Sequence, residues 1–537
     1  MTSRHAVVLL LLMQFIHHSS LFDPCQSFSA TTMICSDDKA LTLPVDLPSQ
    51  VKSLIVVASG IGKISLEKYP QLTKLVLLNN QIRMITPHAF DRLISLEELE
   101  ISGNPFMSLP TGTFHKQGNL TKLLLNNNKL ELLEPGVFDH LQRLEKLQLK
   151  GNNLGHLSGA LFHNLYNLQE LDLSFNSLSS IDVDLLSGLS MLKKLNLDLN
   201  QISSLFSDSF SANTQLRTLS MRGNQITHLP PGIFAHLNNL EELNLRDNRI
   251  RQLRAGVFPS SLKTLILSGN SLVHLTSTLF GGLQNITHLD LSQNHLSILP
   301  AELFQNLTSL QHLDMSKNQL IKLPTSIFRG LFLIKAILLQ MNKLNSLNVG
   351  LFKDQENMSL LYLAGNNLRS VPYGLFNPVD VQGLVSLHRN PWHCDCGLWY
   401  LHEWLNYSSN AMEDVRQVYC ASPKPLKGLS LNFLEKEQLV CVNSSSSTLK
   451  GFINSTRSSD IIKIVSDNTT TPISTTKQCT LHEVNGTIVI KCKLMKCSDL
   501  KFEANFYHTD KGNINYTIEK IWPEYTQCLN MTVTLTV

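Results

Sequence analysis

Along most of this 537-residue chain, apolar positions recur in a spacing that no single helix or strand would produce. Segments such as LTKLVLLNNQI, LEELEISGNPF, LTKLLLNNNKL, LEKLQLKGNNL and LQELDLSFNSL share one pattern, LxxLxLxxNxL. Its Asn stands at 80, 104, 128, 152, 176, 200, 224, 248, 270, 294, 318, 342, 366 and 390. Each step is 24 residues except the 22 between Asn248 and Asn270, where GVFPSSLKTL lacks the usual loop pair. Fourteen copies in register predict one small unit stacked on itself. Within a unit the two apolar residues of LxL are two apart, so both face the same side of a short strand. Stacking the strands gives a parallel sheet whose inner leucines merge into one core. The Asn turns the chain, and its amide can both donate to and accept from backbone groups the turn leaves unpaired. Ten residues after the Asn stands a Phe, at 90, 114, 138, 162, 210, 234, 258, 280, 304, 328, 352 and 376, with Leu186 the exception. That column predicts a stacked spine on the convex side. All of these residues are expected to be core.

This periodicity is the signature of leucine-rich repeats. The fold class it predicts is an α/β leucine-rich-repeat solenoid, a curved parallel β-sheet horseshoe of 14 repeats over residues 54–390. A one-dimensional stack exposes its core at both ends and needs caps. Residues 391–441 begin NPWHCDCGLWYLHEWL and resemble the C-terminal cap of such arrays. By that resemblance Cys394 pairs with Cys420 and Cys396 with Cys441, and Trp392 and Trp404 pack over the last repeat. A metal site at Cys394 and Cys396 is the lesser alternative, since the paired CxxC spacing of a zinc site is missing. Residues 23–53, with Cys25, Cys35 and LTLPVDLPSQVKSLIV, resemble the N-terminal cap, although with two cysteines where that cap usually has four.

The remaining segments extend the picture at both ends. Residues 1–22 carry Arg4 and His5 followed by an apolar run, Ala6 to Ile16, too short to cross a bilayer. A secretory signal is expected, cut between His18 and Cys25. With no later apolar run of membrane-spanning length, a protein soluble in the extracellular space is expected. Residues 442–478 are rich in Ser, Thr and Asn and read as a linker. Residues 479–537 alternate as strands do and hold Cys479, Cys492, Cys497 and Cys528, a small stapled β module with three possible pairings. Ten cysteines in all fit an oxidising compartment. A net charge of +3, from 45 basic and 42 acidic residues without long runs of one sign, points to neither nucleic acid nor a membrane surface.

No motif of nucleophilic, phosphate-binding, dinucleotide or zinc-peptidase chemistry appears, and no cysteine is left over as a nucleophile. Catalytic residues, metal ligands and cofactors are therefore not expected. The repeats, the caps and above all the tail QCTLHEVNGTIVIKCKLMKC resemble the family of the large, non-catalytic subunit of carboxypeptidase N. The resemblance implies a glycosylated carrier that binds and stabilises a catalytic carboxypeptidase subunit in a hetero-oligomer, with the zinc on the partner. The alternative is a free-standing recognition or adhesion module for a matrix, growth-factor or microbial ligand.

Three surface features bear on binding. Eleven N-x-S/T sequons occur, at Asn119, Asn285, Asn306, Asn357, Asn406, Asn443, Asn454, Asn468, Asn485, Asn515 and Asn530. Asn119, Asn285 and Asn357 each lie nine residues before their repeat's Asn, so sugars are expected along one edge of the array. Strand positions six, four and two before the Asn share the concave side. On adjacent repeats they give a polar grid, His288, Asp290, Ser292 and His312, Asp314, Ser316, which could hold a cation or sense pH, or simply be a hydrated polar face. In the last repeats the same columns turn apolar, with Ala336, Leu338, Leu360, Tyr362, Ala364 and Leu384. A contiguous apolar patch on a water-facing sheet marks an interface, or a surface covered by a neighbouring segment. The partner is expected there, with Tyr362 as its anchor.

Overall fold

The computed structural model describes residues 25–441, apart from 45–46, 65–68, 379–383 and 408–414, and the backbone of three strands between residues 479 and 536. The chain divides into two compact units, residues 1–442 and 443–537. The expected signal segment and linker, Cys497 and Cys528, and the sequons at Asn443, Asn454, Asn468, Asn485, Asn515 and Asn530 lie outside the described residues.

The first unit is built on a sheet of 17 strands. An antiparallel hairpin, Cys25–Ser29 with Thr32–Cys35, opens it, and Cys25 is bonded to Cys35. Thr32–Cys35 then runs parallel to Ser53–Val57, and from there every strand runs parallel to the one before it, ending at Leu384–Ser386. Register between neighbours is residue for residue at the repeat period, for example Leu313 beside Ile337 beside Leu361. The hydrophobic pattern explains this. A slip of one residue would move each strand's leucines to the water-facing side.

The Asn ladder supplies the second fixed element. The Asn200 amide donates to the carbonyls of Leu173, 3.0 Å, and Leu197, 3.1 Å, while its oxygen accepts from the Leu178 N–H at 3.0 Å. The same set recurs at Asn176, Asn224, Asn248, Asn294 and Asn318. A buried side chain thus joins two consecutive turns where neither backbone could pair alone. The rung before Asn80 has Ser59 in the equivalent place, and its N–H donates to the Asn80 oxygen at 2.9 Å.

One backbone requirement was not visible in the pattern. The residue before each ladder Asn has a left-handed conformation, whether Asn79 (φ 54°), Phe175 (φ 56°), Leu199 (φ 54°) or Gly103 (φ 73°). Glycine accepts that conformation without strain. At Gly103 a Cβ would come within 2.0 Å of Asn79 Oδ1, so a larger residue there would make the Asn79 side chain move.

Phe90, Phe114, Phe138 and Phe162 stack in sequence, with centroids 5.8, 6.2 and 6.1 Å apart. Neighbouring strands on the sheet side are only about 4.8 Å apart. The back of each turn is therefore thicker than its front, and the sheet must lie on the inside of the curve. The return segments behind the sheet are mostly turns. Among the described residues the one α-helix is Trp399–Tyr407, in the cap.

That cap closes the open end of the core. Trp392 is fully buried, and its indole N–H donates to the Leu387 carbonyl at 3.2 Å. Trp404 lies against Phe376, the last of the spine, with centroids 4.9 Å apart. Cys394 is bonded to Cys420 and Cys396 to Cys441. Considered by itself, the second unit contains an antiparallel sheet of Cys479–Val484, Thr487–Cys492 and Met531–Thr536, with Cys479 opposite Cys492.

Candidate partner-binding face

The concave columns change character along the array. In the early repeats they are charged and paired across strands. Lys74 meets Glu98 at 2.9 Å and Lys122 also bonds Glu98. Lys146 and Lys194 flank Glu170 at 2.9 and 3.1 Å. At Glu170 the Lys146 contact, aided by Lys194, outweighs partial burial and holds the carboxyl below its ordinary range. A carboxyl with a depressed folded-state pKa adds stability above its unfolded pKa and loses it as pH falls through the folded value. Glu170→Gln should therefore cost less than about 1 kcal/mol at pH 7, as exposed pairs do. The cost should vanish once the native carboxyl is protonated. Denaturant unfolding of both proteins at pH 7 and in acid checks this, and a cost that persists in acid would refute the ion-pair explanation.

In the middle, Asp198 accepts from the Ser220 hydroxyl at 2.5 Å and the Arg222 N–H at 2.7 Å, yet burial pushes its pKa up. Phe175 and Leu199, at left-handed corners nearby in sequence, are 49% and 39% exposed. The Lys150 ammonium sits 5.0 Å over the Phe175 ring.

The polar grid separates into two parts. His288 and His312 stack face to face, 4.5 Å apart and 13° from parallel. Burial first, then the neighbouring His288 and Lys335, lowers the His312 pKa. The aspartates turn to their own chain: Asp290 accepts from the Ser292 N–H at 2.9 Å and Asp314 from the Ser316 N–H at 2.8 Å. Ser292 and Ser316 are buried, because the strands end at Asp290 and Asp314 and alternation stops with them. Among the described residues no group of three or more His, Cys, Asp or Glu is arranged to hold a metal ion.

Beyond this pair the face becomes apolar. His312, Ala336, Leu360 and Leu384 lie side by side, as do Asp314, Leu338, Tyr362 and Ser386. Leu338, Leu360 and Tyr362 are half-buried and Leu384 is 39% exposed. Two residues expected on this surface are not available to a partner. Ala336 is only 3% exposed, since its methyl lies between the longer His312 and Leu360 side chains. Ala364 is 7% exposed, because it sits past the strand end, in the column of buried Ser292 and Ser316. Met341, 54% exposed at a left-handed corner, borders the patch instead, its Cγ 3.5 Å from where a Gly365 Cβ would stand. Among the Gly, Asn and Asp common at that corner, a Met was the available clue.

Asn119, Asn285 and Asn357 occupy equivalent exposed positions. Each side-chain amide donates to a carbonyl 25 residues earlier, of Ile94, Ser260 and Phe332, at 3.1, 3.1 and 3.2 Å. Asn306 and Asn406 are exposed too. Asn285 also lines an open groove of about 600 Å³ with Arg217, Glu241, Lys263, Gln311 and Leu333.

The repeat profile "Leucine rich repeat" matches residues 104–154, 142–202, 167–226, 190–250 and 260–320, within the run of the Asn ladder and the Phe spine. The fold is a leucine-rich-repeat solenoid. Human carboxypeptidase N subunit 2 is 33% identical over 153 residues, 28% of this chain and 27% of that protein. Tsukushi of Xenopus tropicalis is 38% identical over 93 residues, 16% of this chain and 27% of that protein. The matches thus span about a quarter of the length of these relatives. Among solved structures, a leucine-rich-repeat protein of Leptospira interrogans superposes with a TM-score of 0.60 at 27% identity, covering 70% of this chain and 93% of that one. A chain of the Drosophila Toll–Spatzle complex superposes with a TM-score of 0.65 at 25% identity, covering 74% of this chain and 56% of that one. Among the described residues no helix is long and apolar enough to cross a membrane.

Proposed function

We propose that this chain is a non-catalytic extracellular binding subunit that holds a protein partner on the C-terminal third of its concave face, the partner being a catalytic carboxypeptidase subunit. The observation that carries the reading is the change of the concave columns from paired charges at Glu98 and Glu170 to Leu338, Leu360, Tyr362 and Leu384. Water-facing strand positions have no reason to become apolar together unless something covers them. The partial likeness to carboxypeptidase N subunit 2 supports the identity of the partner. Disulfides at both ends of the array support a location outside the cell.

Purification from native fluid tests the partner: a zinc-dependent activity removing C-terminal basic residues should co-elute with this chain. Tyr362→Ala with Leu338→Asp tests the face. The pair should weaken binding by at least about 2 kcal/mol while secretion and the thermal midpoint stay unchanged. If stability falls instead and the surviving protein binds normally, the patch is internal packing. A second reading, a free-standing recognition module, draws on the separate exposed pair Phe175 and Leu199, outside the apolar patch. Under it, no carboxypeptidase activity co-elutes and changes at Phe175, not Tyr362, weaken ligand capture.

A further inference from the structure

On the convex side of the early repeats, His88, His115 and His140 come from three consecutive turns, all exposed. The His115 Nδ1 and His140 Nε2 atoms are 3.1 Å apart, with rings nearly perpendicular at 87° and centroids 4.6 Å apart. The His88 ring stands edge-on to His115, centroids 6.0 Å apart. Its Nδ1 lies 3.1 Å from Asp91 Oδ2, and the other Asp91 oxygen is buried with no hydrogen-bond partner.

Two neutral imidazole nitrogens this close form either an N–H···N hydrogen bond or the jaws of a chelate. Two zinc–nitrogen bonds of about 2.0–2.1 Å at a tetrahedral angle hold their nitrogens roughly 3.3 Å apart. The observed separation is close to that bite. Imidazole suits zinc, copper and nickel among divalent ions. His88 has the support that metal-binding imidazoles generally have, a carboxylate on one ring nitrogen that fixes the tautomer and leaves the other lone pair outward. Since no three such side chains converge as they stand, the pair must supply the first two ligands. His88, held by Asp91, stands beside the pair, and water would fill the remaining positions.

We propose that His115 and His140 form a binding site for a divalent transition-metal ion, with water completing its coordination and His88, held by Asp91, at its edge. The ion ties consecutive repeats together on the convex surface, away from the concave columns, so the site does not depend on the partner reading.

The test titrates Zn2+ alone into the chelator-stripped full chain, by calorimetry and by thermal midpoint. Variants are H115Q/H140Q, H88Q, and H288Q/H312Q as a control for the stacked pair on the concave face. All these side chains are exposed, and metal-free midpoints verify that each variant is folded. The wild type should bind saturably and gain midpoint with Zn2+, as a ligand specific to the native state requires. H115Q/H140Q should bind at least about tenfold more weakly and lose the midpoint gain, since even outer partners of a metal site cost about 10–100-fold. H88Q should show a smaller loss, and H288Q/H312Q none. The site is overturned if the wild type binds nothing saturably, if H115Q/H140Q binds as the wild type does, or if only H288Q/H312Q loses binding. In those cases the 3.1 Å contact is a hydrogen bond between neutral rings and nothing more.

Discussion

Phe138→Ala should destabilise the repeat unit by about 3–5 kcal/mol, the range for truncating a buried Phe, and by clearly more than Phe210→Ala. Both rings are fully buried, so burial alone predicts equal losses. They differ in their neighbours. Phe138 lies between Phe114 and Phe162, at 6.2 and 6.1 Å, whereas Phe210 stacks on Phe234 at 6.2 Å and has Leu186 in the spine position on its other side. Each aromatic pair is worth about 0.5–1.5 kcal/mol beyond the area it buries, so Phe138 should cost one such increment more. Denaturant unfolding of both variants gives the comparison, provided the slope m is unchanged. Equal losses, or a larger one at Phe210, would show that the spine is a column of fillers rather than a coupled stack.

The second large effect is expected at the ladder. Asn200→Ala removes one of two donors from each of the Leu173 and Leu197 carbonyls, which Asn176 and Asn224 also reach, and leaves the Leu178 N–H unpaired in the core. A buried polar group left unpaired costs about 1–3 kcal/mol, which the Leu178 N–H alone should bring, with the two weakened carbonyls adding to it. Asn200→Asp is the sharper probe because it keeps size and the accepting oxygen. At neutral pH it sets a carboxylate oxygen against two carbonyls, and it should be no better than Ala. Burial beside those carbonyls raises the folded-state pKa of the new carboxyl above its unfolded value. Its favourable, protonated form is then fully present only below the unfolded pKa and is lost as pH rises through the folded one. The gap to wild type should therefore narrow in acid, where an O–H donor returns. Urea unfolding across that range decides it, and an Asp variant within about 1 kcal/mol of wild type at pH 7 would sink the account.

The fold was legible in the sequence because its two ladders repeat one chemical requirement at one spacing. Each Asn solves the same pairing problem, and each Phe fills the same gap between turns. What escaped was whatever depends on neighbours in space. Ser59 stands one rung before the first Asn, its hydroxyl accepting from the Asp37 N–H and donating to the Val57 carbonyl, both at 3.4 Å, without that residue's signature. Gln117, Asn213 and Gln355, three residues after the spine position, are buried and donate to carbonyls of the preceding turn. In the repeat register they stand in a column of leucines, such as Leu141, Leu165 and Leu237, and that register alone separates them from surface amides. Exposure within the concave columns escaped as well. Ala336 is shaded by longer neighbours on both sides, and Ala364 lies where the strand has already ended. The left-handed corners were hidden because Phe175, Leu199 and Met341 occupy a conformation that sequence associates with Gly and Asn.

Each ladder Asn clamps backward. Asn200 reaches Leu173 and Leu178, Asn224 reaches Leu197 and Ile202, and Asn248 reaches Met221 and Ile226, always in the turn already made. A growing chain therefore lays each turn on the one already made but finishes it only when the next arrives, since the Leu197 and Leu199 N–H groups donate forward to the Ser220 and Arg222 carbonyls. Until translation reaches Trp392 and the cap cysteines, the newest turn is the one exposed end of the core. Synthesis carries that sticky end forward and the cap closes it last. A pause within the array would thus hold a folded rod with one adhesive tip, the state a chaperone must cover.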